Sequence, residues 1–163
     1  MCSSDLKAEL VRALGLLRPQ QKFAVLWYND QPHWWEEKMQ PATEDAVFRA
    51  KNFVKTLQPG HSTNIHDSLE NGFKLAGRGS RDKYYGLEID TIFLLTDGSP
   101  TKPDGKPDST EKILTGVRQW NALKRVTIHC IAIGKDLNEG FLRTLDRKST
   151  RLNSSHLVIS YAV

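Results

Sequence analysis

Hydrophobic positions along the chain alternate between helix-like stripes and short unbroken apolar runs. From Leu6 to Leu17, the residues Leu6, Leu10, Val11, Leu14 and Leu17 fall on one helical stripe. Ser4 or Asp5 is placed to cap this helix, and Arg18-Pro19 ends it. Phe23-Ala24-Val25-Leu26-Trp27-Tyr28 is apolar throughout, which suits a strand covered on both faces. Asn29-Asp30-Gln31-Pro32 breaks that run, and the stretch around His33, Trp34 and Trp35 is compatible with a short edge strand. Helices are predicted over Thr43–Leu57, with Thr43 as cap, and over Asn64–Ala76, with Ile65, Leu69, Phe73 and Ala76 inward. Thr91–Thr96 is a second continuous strand, ending at Asp97-Gly98. The segment Ser99–Ser109 carries three prolines and Gly105 and reads as a surface loop. A helix over Thr110–Leu123, a strand over Val126–Ile133 and a short helix over Asn138–Leu145 follow. Strands alternating with helices predict an α/β fold, a doubly wound and mostly parallel open sheet with right-handed crossovers.

Composition changes this picture little. The chain has 163 residues, 39% hydrophobic and 26% charged, as expected for one globular domain. No apolar run approaches the ~18–20 residues of a membrane span, and no secretory leader is expected at this N-terminus. Cys2 and Cys130 are too few for a disulfide framework or a four-ligand zinc site. The net charge of +4 is misleading, because three of those charges come from Arg147, Lys148 and Arg151, in a stretch without Asp or Glu. No Lys/Arg stripe elsewhere suggests a nucleic-acid face.

Ligands of parallel α/β sheets bind beyond the carboxyl ends of the strands. Asp97 stands there after Leu94-Leu95-Thr96, and Thr63 stands in a second loop just before a helix. A carboxylate with hydroxyls is hard oxygen chemistry, suited to Mg²⁺ or a similar divalent ion. Taken singly, each has a plainer use: Thr63 as a helix cap, Asp97 and Asp30 as turn residues. His61, His66 and His129 lack zinc-like spacing, and Cys130 alternates into a strand as an inert buried thiol. Trp34 and Trp35 fit either an exposed recognition patch or packing over the sheet edge.

Two segments together carry a family likeness. Gly60-His61-Ser62-Thr63-Asn64-Ile65-His66-Asp67-Ser68-Leu69 and Asp90-Thr91-Ile92-Phe93-Leu94-Leu95-Thr96-Asp97-Gly98-Ser99-Pro100-Thr101 resemble von Willebrand factor type A (VWA) domains, with matching spacing and intervening helix. The resemblance extends over about Asp5 to Leu145. It implies a sheet of usually six strands with a metal-ion-dependent adhesion site at its top. On that pattern Thr63 is the threonine ligand and Asp97 the acidic ligand, direct or through water. The implied function is binding of a protein ligand whose acidic side chain completes the octahedron of Mg²⁺ or another divalent cation. The alternative is a phosphoryl-transfer enzyme with Asp97 as metal ligand or nucleophile, although Ser99 stands where a second Asp would help and no Gly-x-x-x-x-Gly-Lys loop is present.

The family's first strand, which is central in the sheet, ends in Asp-x-Ser-x-Ser and supplies three further ligands. That motif is absent, and the chain begins at the helix that should follow it. A partial VWA-like domain is therefore expected over 5–146, lacking its first, central strand, with an incomplete site that binds Mg²⁺ weakly or not at all. Met1–Leu6 and Arg147–Val163 resemble translated sequencing-adapter read-through, so 147–163 is expected to be a non-native or disordered tail. Leu157-Val158-Ile159-Ser160-Tyr161 has strand-like composition but no native place in this scheme, and its deletion is expected to leave the remainder as stable or better.

Overall fold

The run Phe23–Tyr28 forms the body of strand β1 (Lys22–Tyr28), where Phe23, Ala24, Val25, Leu26 and Tyr28 are all fully buried. Burial on both faces is what an unbroken apolar run requires, and it marks β1 as an inner strand. The structure is a computed structural model and describes residues 2–58, 60, 62–76, 89–96, 99–132, 138–149 and 156–162. In chain order, α1 (Cys2–Gly15) precedes β1, and β2 (Pro32–Trp34), β3 (Gln40–Pro41), α2 (Glu44–Thr56) and α3 (Ile65–Leu75) follow it. Then come β4 (Thr91–Thr96), α4 (Thr110–Trp120), β5 (Thr127–Ala132), α5 (Glu139–Ser149) and β6 (His156–Ala162). The sheet runs β2-β1-β6-β4-β5, with β3 on β1. β1, β6, β4 and β5 are parallel, and β2 and β3 pair antiparallel to β1. This is the α/β, mostly parallel sheet expected from the alternation of helices and strands.

The helices cover the sheet through the faces that their periodicity marks. Leu6, Leu10 and Leu14 of α1, Ala46, Ala50 and Val54 of α2, and Ile65, Leu69 and Phe73 of α3 join β1 and β4 in one core. Gly72 lets α3 lie close to the sheet, since a Cβ there would stand 3.3 Å from Ile92 Cδ1. Thr43 caps α2, its hydroxyl accepting from the Ala46 N–H at 3.2 Å. The Trp34–Trp35 stretch is packing rather than an open patch. Trp35 stacks on Phe23 with ring centroids 5.8 Å apart, and the Arg49 guanidinium lies over the Trp35 ring, 5.4 Å from its centroid.

Two expectations change. α1 begins at Cys2, so Ser4 and Asp5 lie inside its first turn instead of capping it. The boundary expected at 146 lies inside α5, and 156–162 of the tail expected to be non-native or disordered takes strand form. β6 pairs along its length with β1, from Lys22↔His156 to Tyr28↔Ala162, and with β4 from Thr91↔Leu157 to Leu95↔Tyr161. The position between β1 and β4 is thus held by β6. The reason is physical: β1 and β4 each present a row of backbone donors and acceptors toward that gap, and an apolar, β-branched segment satisfies both.

Candidate functional site

β1 and β4 end together, and the Tyr28 hydroxyl donates to the Leu95 carbonyl oxygen at 3.1 Å across the top of β6. Three segments meet at this carboxyl rim: the turn after β1, the loop 62–64 before α3, and the loop 99–109 after β4. Asn64 joins the first two. It is 1% exposed and uses every polar group it has. Its backbone N–H donates to the Asn29 carbonyl oxygen at 2.9 Å, and its Nδ2 donates to the Asp30 carbonyl oxygen at 2.9 Å and to Asp67 Oδ2 at 2.8 Å. Its Oδ1 accepts from the Asp67 N–H at 3.2 Å, and its carbonyl accepts from Ser68 Oγ at 2.8 Å. Asn64, not Thr63, is therefore the N-cap of α3.

Capping by Asn64 leaves Thr63 available for something else. Thr63 is half-buried, and its backbone is held from the opposite side by Thr101. Its N–H donates to Thr101 Oγ1 at 2.6 Å, and its carbonyl accepts from the Thr101 N–H at 3.0 Å. The Thr63 hydroxyl enters no hydrogen bond among the described residues. Loop 99–109 is a folded hairpin and not an irregular excursion. Thr101 bridges Pro107, the Lys102 N–H donates to the Lys106 carbonyl at 2.8 Å, and the Asp108 N–H donates to the Pro100 carbonyl at 3.0 Å. Its tip turns at Gly105, whose φ of 79° is the left-handed region that side-chain-bearing residues disfavour. The order Pro103-Asp104-Gly105 signalled that turn. No signal in the chain marked Thr101 as the residue that would clamp Thr63.

Of the two residues proposed as ligands, Thr63 lies on this rim; Asp97, and with it the expected approach of Asp97 to the Thr63 hydroxyl, lies outside the described residues, as does His61. Asp30 contributes its carbonyl to Asn64, a turn role. His66 is paired with Asp67, Nδ1 to Oδ1 at 2.7 Å, and His129 lies 3.8 Å from Asp146. Among the described residues no three of His, Cys, Asp or Glu gather as metal ligands.

Burial works against ionisation of Asp67, but the hydrogen bonds from His66 and Asn64, with the nearby His66 and Lys112 charges, outweigh it and hold its carboxyl below the ordinary value. A lowered carboxyl pKa stabilises the fold above the unfolded value, about 3.9, and that stability is lost as pH falls through the folded value. Urea unfolding from pH 7 to pH 2.5 is expected to show an acid limb below about pH 4 that Asp67→Asn flattens. An unchanged acid limb in the variant would remove Asp67 from the network.

Cys130 in β5 is perturbed in the opposite direction. Burial pushes its thiol up to about 12, with a smaller push from Asp146. Thiolate is the reactive form, so at pH 8 alkylation by iodoacetamide in a Cys2→Ser chain should be at least ~100-fold slower than that of free cysteine. Comparable rates would mean that the thiol is open to solvent. The expectation of a buried thiol is met only in part, since Cys130 is half-buried, and its inertness is what the alkylation rate decides.

A sequence profile described as von Willebrand factor type A domain matches residues 1–150. Curated relatives are similar over most of the chain. Inter-alpha-trypsin inhibitor heavy chain H4 of Homo sapiens is 27% identical over 137 residues, covering 83% of this chain and 14% of the relative. Heavy chain H1 of Mesocricetus auratus is 26% identical over 147 residues, covering 88% and 15%. Heavy chain H3 of Pongo abelii is 27% identical over 142 residues, covering 85% and 16%. The chain thus spans only about one-seventh of the length of these relatives.

Proposed function

Because the chain belongs to the von Willebrand factor type A domain family, whose members are protein-interaction modules, we propose that it is part of a metal-ion-dependent adhesion site directed at an acidic protein ligand. Thr63 is the threonine ligand of Mg²⁺ or another divalent cation, and Asp97 is the acidic ligand, direct or through water. An upstream Asp-x-Ser-x-Ser loop in a longer protein supplies the remaining donors. The bound ion would supply a directional positive charge, on which a carboxylate of the partner closes the octahedron. The reading is one of binding, not turnover.

The observation that carries it is the Thr63 hydroxyl. It sits at the carboxyl rim of the parallel strands, its backbone is held by Thr101 and its neighbour by the Asn29–Asp30 turn, and its own oxygen is uncommitted among the described residues. A cap residue would have spent that oxygen on the helix. The described donor set fits such an ion only in part, since one neutral hydroxyl does not displace water from Mg²⁺, which sheds its shell reluctantly.

Calorimetric titration of Mg²⁺ into this chain is therefore expected to give no heat of binding at micromolar concentrations. A chain extended upstream by a strand ending in Asp-x-Ser-x-Ser, and ended at Ser149 so that this strand can take the place of β6 between β1 and β4, should bind, and Thr63→Ala or Asp97→Ala in that chain should abolish binding. Tight binding by the present chain, or binding in the extended chain that survives both substitutions, would overturn the assignment.

A further inference from the structure

We infer that the slot between β1 and β4 is an exchangeable strand-binding site, able to take the His156–Ala162 segment of a second copy of this chain in place of its own. The sheet consists of two parts, β3/β2/β1 and β4/β5, and no ladder pair joins β1 to β4 directly. Among the described residues, strand pairing between the two parts passes through β6, which follows the other described helices and strands in chain order. Leaving the slot therefore unthreads no other connection. Six residues, 150–155, separate Ser149 from His156, a reach of about 20 Å.

The recognition is by backbone pairing. Seven consecutive residues of β6 pair with β1 and five with β4, all in parallel register. A strand from a second copy presents the same sequence in the same orientation and recovers the same ladders. Exchange then changes no native pairing and is governed by the concentration of competing strands against the tether, the condition under which domain swapping is inexpensive. An emptied slot offers two rows of unmatched donors and acceptors facing each other, which strongly favours occupation by whichever strand is available. The partner is accordingly an extended, apolar, parallel strand, and the one at hand is a second copy.

The test uses the full chain with Cys2→Ser and Cys130→Ser, carrying Lys22→Cys and His156→Cys. These two positions are direct Cα partners at the start of the ladder, within disulfide reach, and Lys22 is exposed. Refolded and oxidised at about 1 µM, the protein should form the 22–156 disulfide within one chain. Refolded at several hundred µM, it should yield covalent dimers whose peptide map shows a 22–156 bond between chains, in a fraction that rises with concentration. Ile159→Pro, which removes a ladder N–H from an inner strand, should lower that fraction at least several-fold. Intrachain bonds alone at all concentrations, or dimers linked 22–22 or 156–156, would overturn the exchange. Absence of any 22–156 bond would overturn the pairing of β6 with β1 and the inference with it.

Discussion

Truncated after Ser149, the chain loses its cooperative thermal transition. Without β6, the edges of β1 and β4 face each other across two strand spacings, about 10 Å, too far for backbone hydrogen bonds. The seven-residue ladder with β1 and the five-residue ladder with β4 disappear together. The β4/β5 pair left on one side is a two-stranded sheet, which is marginal on its own. The Tyr28–Leu95 hydrogen bond remains as a direct polar link between β1 and β4, but it is a single bond at one end of the gap. Far-UV circular dichroism should show retained helix with a broad, non-cooperative melt, and near-UV signals should collapse, the pattern of a compact but loosely packed chain. The read-through resemblance carries the opposite expectation, that removing 147–163 leaves the remainder as stable or better, and the melt decides between them. A sharp transition in the truncated chain, within a few degrees of the intact one, would show that β6 is dispensable.

The second large effect is that of Asn64→Ala, which should destabilise the fold by about 2 kcal/mol. Loss of the α3 cap accounts for about 1 kcal/mol, and the lost Nδ2 hydrogen bonds to the Asp30 carbonyl and to the Asp67 carboxylate, which keeps His66, together add roughly 1. Asn64→Asp keeps an acceptor for the Asp67 N–H, but it cannot donate to Asp30 and sets a second carboxylate against Asp67, whose Oδ2 lies 2.8 Å from Nδ2 in the native pair. It should therefore cost nearly as much, which separates the network from simple capping. Thr101→Ala removes one acceptor from the Thr63 N–H and should cost about 1 kcal/mol. Urea unfolding with an unchanged m-value reads all three, and hydrogen exchange at the Thr63 amide should accelerate in each. An Asn64→Ala loss below about 1 kcal/mol would mean that the rim network is not cooperative.

The rim was only half legible beforehand. Thr63 and the helix behind it stand out because a hydroxyl residue, an Asn and a 3.6-residue apolar period occur in sequence. The division of labour between Thr63 and Asn64 does not, since both residue types cap helices well and only the reach of Asn64 to Asp30 and Asn29 decides between them. Thr101 gives no local signal, because its acceptor role depends on a hairpin bringing it back 38 residues in sequence to Thr63. Asp67 reads as an ordinary acidic residue in a first helical turn, whereas its depressed carboxyl depends on Asn64, His66 and Lys112 converging.

What the chain determines by itself is local and periodic. The stripes of α1 through α5, the doubly buried runs of β1 and β4, the Thr43 cap and the Pro- and Gly-bearing surface loop 99–109 follow from side-chain period, rotamer stiffness and φ preference, each acting within a few residues. The parallel α/β class follows too, because continuous apolar strands need helices on both faces. Tertiary structure alone decided which segment lies between β1 and β4. Backbone pairing is nearly blind to sequence, so an apolar run with no assigned place can fill the central gap once two unpaired strand edges enclose it. Only the assembled rim, likewise, could leave the Thr63 hydroxyl uncommitted, since that depends on Asn64 taking the cap and Thr101 taking the backbone.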